Sequence, residues 1–413
     1  MPIRVRRFAS ALLASCVALT AFTAPQAQAA PSPQPLPAKD PFYTPPSPLP
    51  AGKPGDVIRS RPSVYTLDPF SRAPFGGVKA WQVLYLSESV GGKPIAVSGT
   101  VLVPQKAWTG KGQRPLVSYT VGTRGLGDAC APSYTLSQGI DYEGFFIADA
   151  LTKGWAVTVT DMEGLGTPGQ HTYEVGGSQG KAVLNMARAA RRLPDAGVGT
   201  GPVGVWGYSQ GGTSAGWAAE LAPTYAPELD IKGVVAGGVP ADLVKVAENL
   251  DGNLFIAFAF MAAVGYDTAY PELDLAKYLN DRGRQLLKKA QDICLVSFDG
   301  VSTLIDTAFT KFTDYTTTNP LTTPEWRAKL NANRLGSRAP KAPVFQPHAY
   351  LDQIIPFGQA DTLQKEWCAK GANVTWRVYP GEHALGAVLS EPDAVIYLGD
   401  RFAGKPVRST CAK

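Results

Sequence analysis

The chain has 413 residues, 45% hydrophobic and 18% charged, enough for one large domain with an insertion or for two domains. Its formal charge is +5, and when Arg4, Arg6 and Arg7 near the start are set aside, the 39 basic residues fall to 36 against 34 acidic ones, a charge of +2. So weak a balance gives no footprint for nucleic acid or an anionic surface, and no Cys-x-x-Cys spacing marks a zinc site.

Residues 1–29 read as a secretory signal. The basic start is followed by an apolar, small-residue run from Phe8 to Thr23 and by Ala27-Gln28-Ala29, a cleavage site of the A-x-A kind. The run is short for a membrane anchor, and it continues past Cys16, which argues against lipid attachment there. The expectation is export after cleavage near Ala29, with no transmembrane anchor. The cysteines agree. Once Cys16 leaves with the signal, Cys130, Cys294, Cys368 and Cys411 remain, an even number suited to an oxidising compartment. Four cysteines allow three pairings, and spacing does not choose among them.

Residues 30–55 form a lead-in, with ten prolines between positions 31 and 54, a composition that favours extended chain, at most partly packed. From Trp81 the pattern turns to strands. Val83, Tyr85 and Ser87 alternate with Gln82, Leu84 and Leu86, Gly91-Gly92 supplies a hairpin turn, and Ile95 to Val103 returns. Short apolar runs at 115–121, 156–160, 203–206, 231–235, 343–345 and 374–378 then alternate with helical stretches. The clearest helix is 180–192, with Val183, Met186, Ala187 and Ala190 at helical spacing. This alternation predicts an α/β fold, a mostly parallel sheet covered on both faces, with the hairpin adding antiparallel strands at one edge.

The alternation stops over 240–338. That stretch reads as a helical cap or lid that divides the core into 56–239 and 339–413. Within it, 253–266 (NLFIAFAFMAAVGY) is apolar nearly all round and too short to span a bilayer. It suits either a buried helix or a lid facing substrate. An insertion between sheet strands sits over their C-terminal ends, where ligands bind.

The pattern Gly-x-Ser-x-Gly, the mark of a serine nucleophile on a sharp strand-to-helix turn, occurs around Ser178, Ser209 and Ser214. Such a turn needs a buried strand running into it, small neighbours, and a helix that begins at once and aims its N–H groups at an oxyanion. Ser209 meets all three conditions: Val203 to Trp206 before it, Gly207 and Gly211 beside it, a helical stretch after it. Ser178 follows HTYEV, where His171 and Glu174 spoil an apolar strand, and it reads as the cap of the helix at 180–192. Ser214 falls inside the helix that follows Ser209.

A serine needs a base, and the chain has three histidines. His171 lies in a loop and reads as a solvated turn residue. His348 directly follows a strand and leaves no room for an acid before it. His383 follows the last strand, the place of the base where the chain order is Ser, acid, His. Asp352, on the loop after the strand that ends near Pro347, is the candidate acid, with a helix N-cap as its structural alternative. Asp361 and Glu382 fit less well. The oxyanion needs two N–H donors. One is assigned to Gln210, the residue after the nucleophile, and the other to Thr123, with Arg124 second, on the turn that Gly122 allows to run close to substrate.

The residues Gly207-Tyr208-Ser209-Gln210-Gly211-Gly212, GDACAPSY at 127–134, DMEGLGT at 161–167, HAYLDQIIP at 348–356 and GEHALG at 381–386 together resemble the secretory lipases of fungi and actinobacteria. The likeness runs from about Asp40 to the end. It implies an α/β-hydrolase fold with a helical cap, hydrolysis of carboxylic esters including triacylglycerols, the triad Ser209, Asp352 and His383, and the disulfides Cys130–Cys294 and Cys368–Cys411. Two features depart from the family. Many bacterial members carry His-Gly after the third strand where Val121-Gly122 stands here, and fungal members place an acid near the turn that holds Arg124. The resulting expectation is a secreted, monomeric serine hydrolase that uses no metal or organic cofactor and acts on an ester or lipid, at a lipid–water interface if it is a true lipase. The rivals are a peptidase or acyltransferase on the same fold and a non-catalytic binding module.

Overall fold

The computed structural model describes residues 34–411; the signal expected over 1–29 lies outside the described residues. The alternating segment after Trp81 forms two long strands, β2 (Val78–Glu88) and β3 (Pro94–Pro104), which follow β1 (Val57–Ser63). β2 and β3 pair antiparallel from Val78↔Pro104 to Glu88↔Pro94. Their turn is closed by the Ser89 N–H on the Lys93 carbonyl at 2.9 Å, with Gly92 at φ +79°. β1 is absent from the sequence expectations. Its VIRSRPS carries two arginines and a proline, which an edge strand tolerates because one of its sides has no partner strand. The proline-rich lead-in is partly packed: Asp40 pairs with Arg61, and the buried Tyr43 hydroxyl meets Ser133 Oγ at 2.9 Å.

Beyond the meander the chain alternates in order. It runs through β4 (Leu116–Thr120), α1 (Pro132–Gln138), α2 (Gly144–Thr152), β5 (Ala156–Thr160), α3 (Gly176–Arg192), β6 (Val203–Tyr208), α4 (Gln210–Tyr225) and β7 (Ile231–Gly237). The connection from β7 to the next strand holds five α-helices, α5 (Leu243–Leu250), α6 (Ile256–Ala269), α7 (Asp281–Ala290), α8 (Phe298–Thr307) and α9 (Pro324–Ala332). Then come β8 (Val344–Ala349), α10 (Phe357–Ala369), β9 (Val374–Tyr379) and α11 (His383–Phe402). The nine strands order as β1-β2-β3-β5-β4-β6-β7-β8-β9, parallel from β5 onward. This is the α/β-hydrolase arrangement.

Strands buried on both faces read as continuous apolar runs, and β4, β5 and β6 are buried at every position. One face is covered by α3, α4 and α10, where Val183, Met186, Ala215, Ala218 and Trp367 join one core cluster. The other is covered by α1, α2 and α11 through Leu136, Ile147, Leu151, Val395 and Leu398. The helices α5 to α9 have a core of their own around Val244, Tyr266, Tyr278 and Trp326. The C-terminal ends of β4, β6, β8 and β9 therefore share one edge of the sheet, the place where open α/β sheets bind ligands.

Two disulfides tie this architecture together, Cys130–Cys294 and Cys368–Cys411. The first joins the segment after β4 to the segment between α7 and α8, next to a backbone bridge between Gly125 and Cys294. It closes a loop of 164 residues, so by chain entropy its removal costs about 2–5 kcal/mol. A Cys130→Ser, Cys294→Ser double variant should show a urea midpoint lowered accordingly; an unchanged midpoint would contradict that role.

Candidate active site

β6 delivers Ser209 into a turn with φ 60° and ψ −125°, a backbone conformation rare for a residue with a side chain. Such strain costs of order 1–3 kcal/mol and persists only where packing over-determines it. Here the packing is done by glycines. A Cβ at Gly207 would collide with the Thr120 hydroxyl, one at Gly211 with the Thr120 carbonyl, and one at Gly212 with the Gly237 carbonyl. The Ser209 N–H donates to the Gly237 carbonyl at 3.0 Å, fixing the turn to β7.

His383 is the first residue of α11 and lies after β9. Its Nε2 is 2.9 Å from Ser209 Oγ and its Nδ1 is 2.6 Å from Asp352 Oδ2. The other Asp352 oxygen accepts the Ile354 and Ile355 N–H groups at 3.0 and 2.7 Å. Those two bonds hold the carboxylate in a tight turn ahead of α10, whose N-cap is Pro356. The remaining constraints come from neighbours. Gln353 Oε1 accepts the His383 N–H at 3.0 Å, Glu382 caps α11 through Ala384 and Leu385, and the Tyr208 ring lies 5.1 Å from the imidazole. Asp361 is occupied elsewhere, paired with Lys365 one turn along α10. His348 is buried with Nε2 3.1 Å from the Ile355 carbonyl.

The turn after β4 is held from beneath by buried charge. Glu143 accepts the Gly122 N–H at 3.1 Å and the Tyr119 hydroxyl at 3.0 Å. Arg124 forks onto Asp141 at 2.7 and 3.0 Å and stacks 3.8 Å from the Tyr142 ring. A Cβ at Gly122 would meet Glu143 Oε1 at 2.7 Å, so the absence of a side chain there makes room for the carboxylate. Arg124 is thereby turned into the protein, whereas Thr123 lines the cavity with Ser209. The Gln210 N–H, at the first position of α4, has no acceptor within its own helix.

Two sequence expectations are corrected. His171 is not solvated: it is buried, its Nδ1 contacts the Glu163 carbonyl at 2.9 Å, and its Nε2 faces Gln210 Nε2 at 3.1 Å. Burial holds it down to about 4, so the ring stays neutral and accepts from the Gln210 amide. Ser178 is not a cap, because α3 begins at Gly176 and the Ser178 hydroxyl donates to Glu163. The sequence also gave no place to Asp141 and Glu143; two acids between apolar helical stretches were their one available signal.

Above Ser209 lies a cavity of about 890 Å³, open mouth included, walled by α5, α6, α9 and the Ile354-Ile355 segment. Phe258, Phe260, Ala263 and Tyr266 of α6 line it, so the apolar run at 253–266 is partly buried core and partly cavity wall. No Lys or Arg occurs among its described lining residues. Among the described residues no cluster of three or more His, Cys, Asp or Glu could hold a metal, and no helix is long and apolar enough to cross a membrane.

The collision at Gly211 is with backbone, which cannot swing aside, so Gly211→Ala should lower stability by about 1–3 kcal/mol in denaturant unfolding. Wild-type stability in that variant would show that the turn is not clamped as described.

A family model described as secretory lipase matches residues 131–410. A probable inactive lipase of Mycobacterium tuberculosis is 35% identical over 383 residues, covering 90% of this chain and 84% of that one. Lipase A of Arthroderma benhamiae is 30% identical over 412 residues, covering 94% and 84%. The crystal structure of Candida antarctica lipase A in its closed state superposes with a TM-score of 0.82 at 28% identity, covering 92% of this chain and 89% of that one. On these matches the chain belongs to the secretory lipase family.

Proposed function

We propose that the protein is an exported carboxylic ester hydrolase, with triacylglycerols among its substrates. The observation that carries this reading is the linked set Ser209 Oγ to His383 Nε2 at 2.9 Å and His383 Nδ1 to Asp352 at 2.6 Å. In this reading His383 takes the Ser209 proton as Oγ attacks the ester carbonyl. Asp352 holds the ring in the tautomer that presents Nε2 to the serine and stabilises the imidazolium. The Gln210 and Thr123 N–H groups receive the oxyanion. His383 then protonates the leaving alcohol. Water, deprotonated by His383, attacks the acyl-enzyme, and the acid leaves as Ser209 recovers its proton.

The cavity supports an ester with an apolar acyl chain. Its lining is almost wholly aliphatic and aromatic and offers no cation to anchor a peptide carboxylate. We assign residues 240–338 as the cap that roofs it. On that segment, Phe298, Val301 and Ile305 of α8 are exposed on one face, a pattern suited to contact with a lipid surface. Secretion is supported by family membership and by the secreted triacylglycerol lipases of Malassezia among the relatives, one 29% identical over 415 residues.

One observation favours a non-catalytic reading: the Mycobacterium tuberculosis relative is a probable inactive lipase. A fluorophosphonate probe separates the two. The wild type should be labelled and Ser209→Ala should not, with kcat on p-nitrophenyl esters lower by roughly a millionfold. Asp352→Asn should lose roughly ten-thousandfold. A wild type that neither labels nor turns over esters would support the binding module, and labelling that persists in Ser209→Ala would move the nucleophile elsewhere.

A further inference from the structure

The cavity above Ser209 is apolar except for a few polar atoms, most of which are already satisfied. Thr123 Oγ1 and the Tyr173 hydroxyl meet at 2.7 Å, Thr316 Oγ1 donates to the Phe312 carbonyl at 2.9 Å, and Asn319 accepts the Leu321 N–H at 3.0 Å. Glu174 Oε2 and the Tyr266 hydroxyl are different. Both residues line the cavity, both are buried (4% and 0% exposed), and neither atom has a hydrogen-bond partner among the described residues. Trp326 Nε1 is a third such atom on the same wall. Leaving polar atoms unpaired in an apolar enclosure costs about 1–3 kcal/mol each, and a fatty acyl chain gives them nothing to bond.

The two groups are brought together by the fold. Gly265 lets α6 lie directly on the backbone of Tyr173, where any Cβ would collide with its N and O atoms. Tyr266, the next residue, lines the same cavity as Glu174, and burial, Tyr270 and the Glu174 carboxyl, in that order, raise its phenol above the ordinary range. Glu174 itself is held at φ 59°, a left-handed conformation that a non-glycine residue adopts at a cost. Burial pushes its carboxyl up to about 8, against the Thr213 hydroxyl beside it, so at neutral pH it carries a proton to donate.

We propose that the Glu174 carboxyl and the Tyr266 hydroxyl form a polar subsite that binds an oxygen carried by the acyl chain, so that the preferred esters are those of oxygenated acids and not of plain fatty acids. This rests on the ester-hydrolase reading and narrows its substrate class. A neutral carboxyl and a phenol both donate, which fits a ketone, a hydroxyl or a second ester carbonyl. A site built to hydrogen-bond such an oxygen disfavours a chain that lacks it far more than an apolar wall discriminates by size.

The test is kcat/KM for p-nitrophenyl octanoate and its 4-, 5-, 6- and 7-oxo analogues, with wild type, Glu174→Leu, Glu174→Gln and Tyr266→Phe. In wild type at least one oxo ester should exceed the plain ester by tenfold or more. Glu174→Leu should invert that ratio by gaining on the plain chain and losing on the oxo chain. Glu174→Gln, which keeps a donor, should retain part of the preference, and Tyr266→Phe should reduce it. Wild type that turns over the plain ester as fast as every oxo analogue would overturn the proposal, as would an unchanged ratio in the Glu174 variants. If Glu174→Leu does not fold, the wild-type profile together with Glu174→Gln and Tyr266→Phe decides. Turnover of the plain ester leaves the hydrolase reading standing in either case; no turnover of any ester removes that reading and this one with it.

Discussion

A serine side chain forced into a left-handed turn between β6 and α4 is the constraint from which the rest of the site follows. The turn survives because three glycines let neighbouring backbones close on it: β4 through Thr120 and β7 through Gly237. A rigid parallel sheet supplies those backbones at fixed spacing, so the hydroxyl position is set by strand packing and not by its own loop. The same sheet end carries Asp352 beyond β8 and His383 beyond β9. Three residues far apart in sequence thus meet within hydrogen-bond distance because their strands stop at one edge.

The turn after β4 obeys the same logic with different chemistry. It has no strand beyond it to pin it, and a buried carboxylate takes that part. Glu143 accepts the Gly122 N–H from below, Arg124 is drawn inward by Asp141, and Thr123 is left lining the cavity. A buried ion cluster of this kind is a poor source of net stability, because desolvating the charges offsets their attraction. Its part is geometric, since its hydrogen bonds hold Gly122 and Arg124 in place. His171 extends the idea on the far side of Ser209, where a buried neutral ring accepts from the Gln210 side chain and holds the start of α4.

Much of this was legible in the sequence, and the physical reasons separate what was from what was not. Apolar runs at 156–160 and 203–206 announce central strands because both faces are buried. Val183, Met186, Ala187 and Ala190 announce α3 because one helical face packs on the sheet. The elbow was readable because steric demand leaves glycines in sequence. β1 was not, since an edge strand carries no apolar alternation. His171 was misjudged because a polar residue in a loop reads as solvated, and nothing local says that residues distant in sequence, Gln210 among them, will bury it. The support of Gly122 by Glu143 was hidden likewise, because the acid and the amide are adjacent only once the chain has folded back through α1.

Helices α5, α6 and α9 wall an apolar cavity over the sheet edge, and the Cys130–Cys294 disulfide lies close to the turn that holds Thr123. In the proposed reading, cavity, elbow and turn together define where a reacting carbonyl sits. The most direct measurement is a crystal structure of the protein after reaction with a long-chain alkyl phosphonate. The account predicts phosphorus bonded to Ser209 Oγ, its oxygen about 2.7–3.1 Å from the Gln210 and Thr123 nitrogens, and the alkyl chain in the chamber beneath α6. Phosphorus on another residue, or an oxygen turned away from both amides, would contradict it.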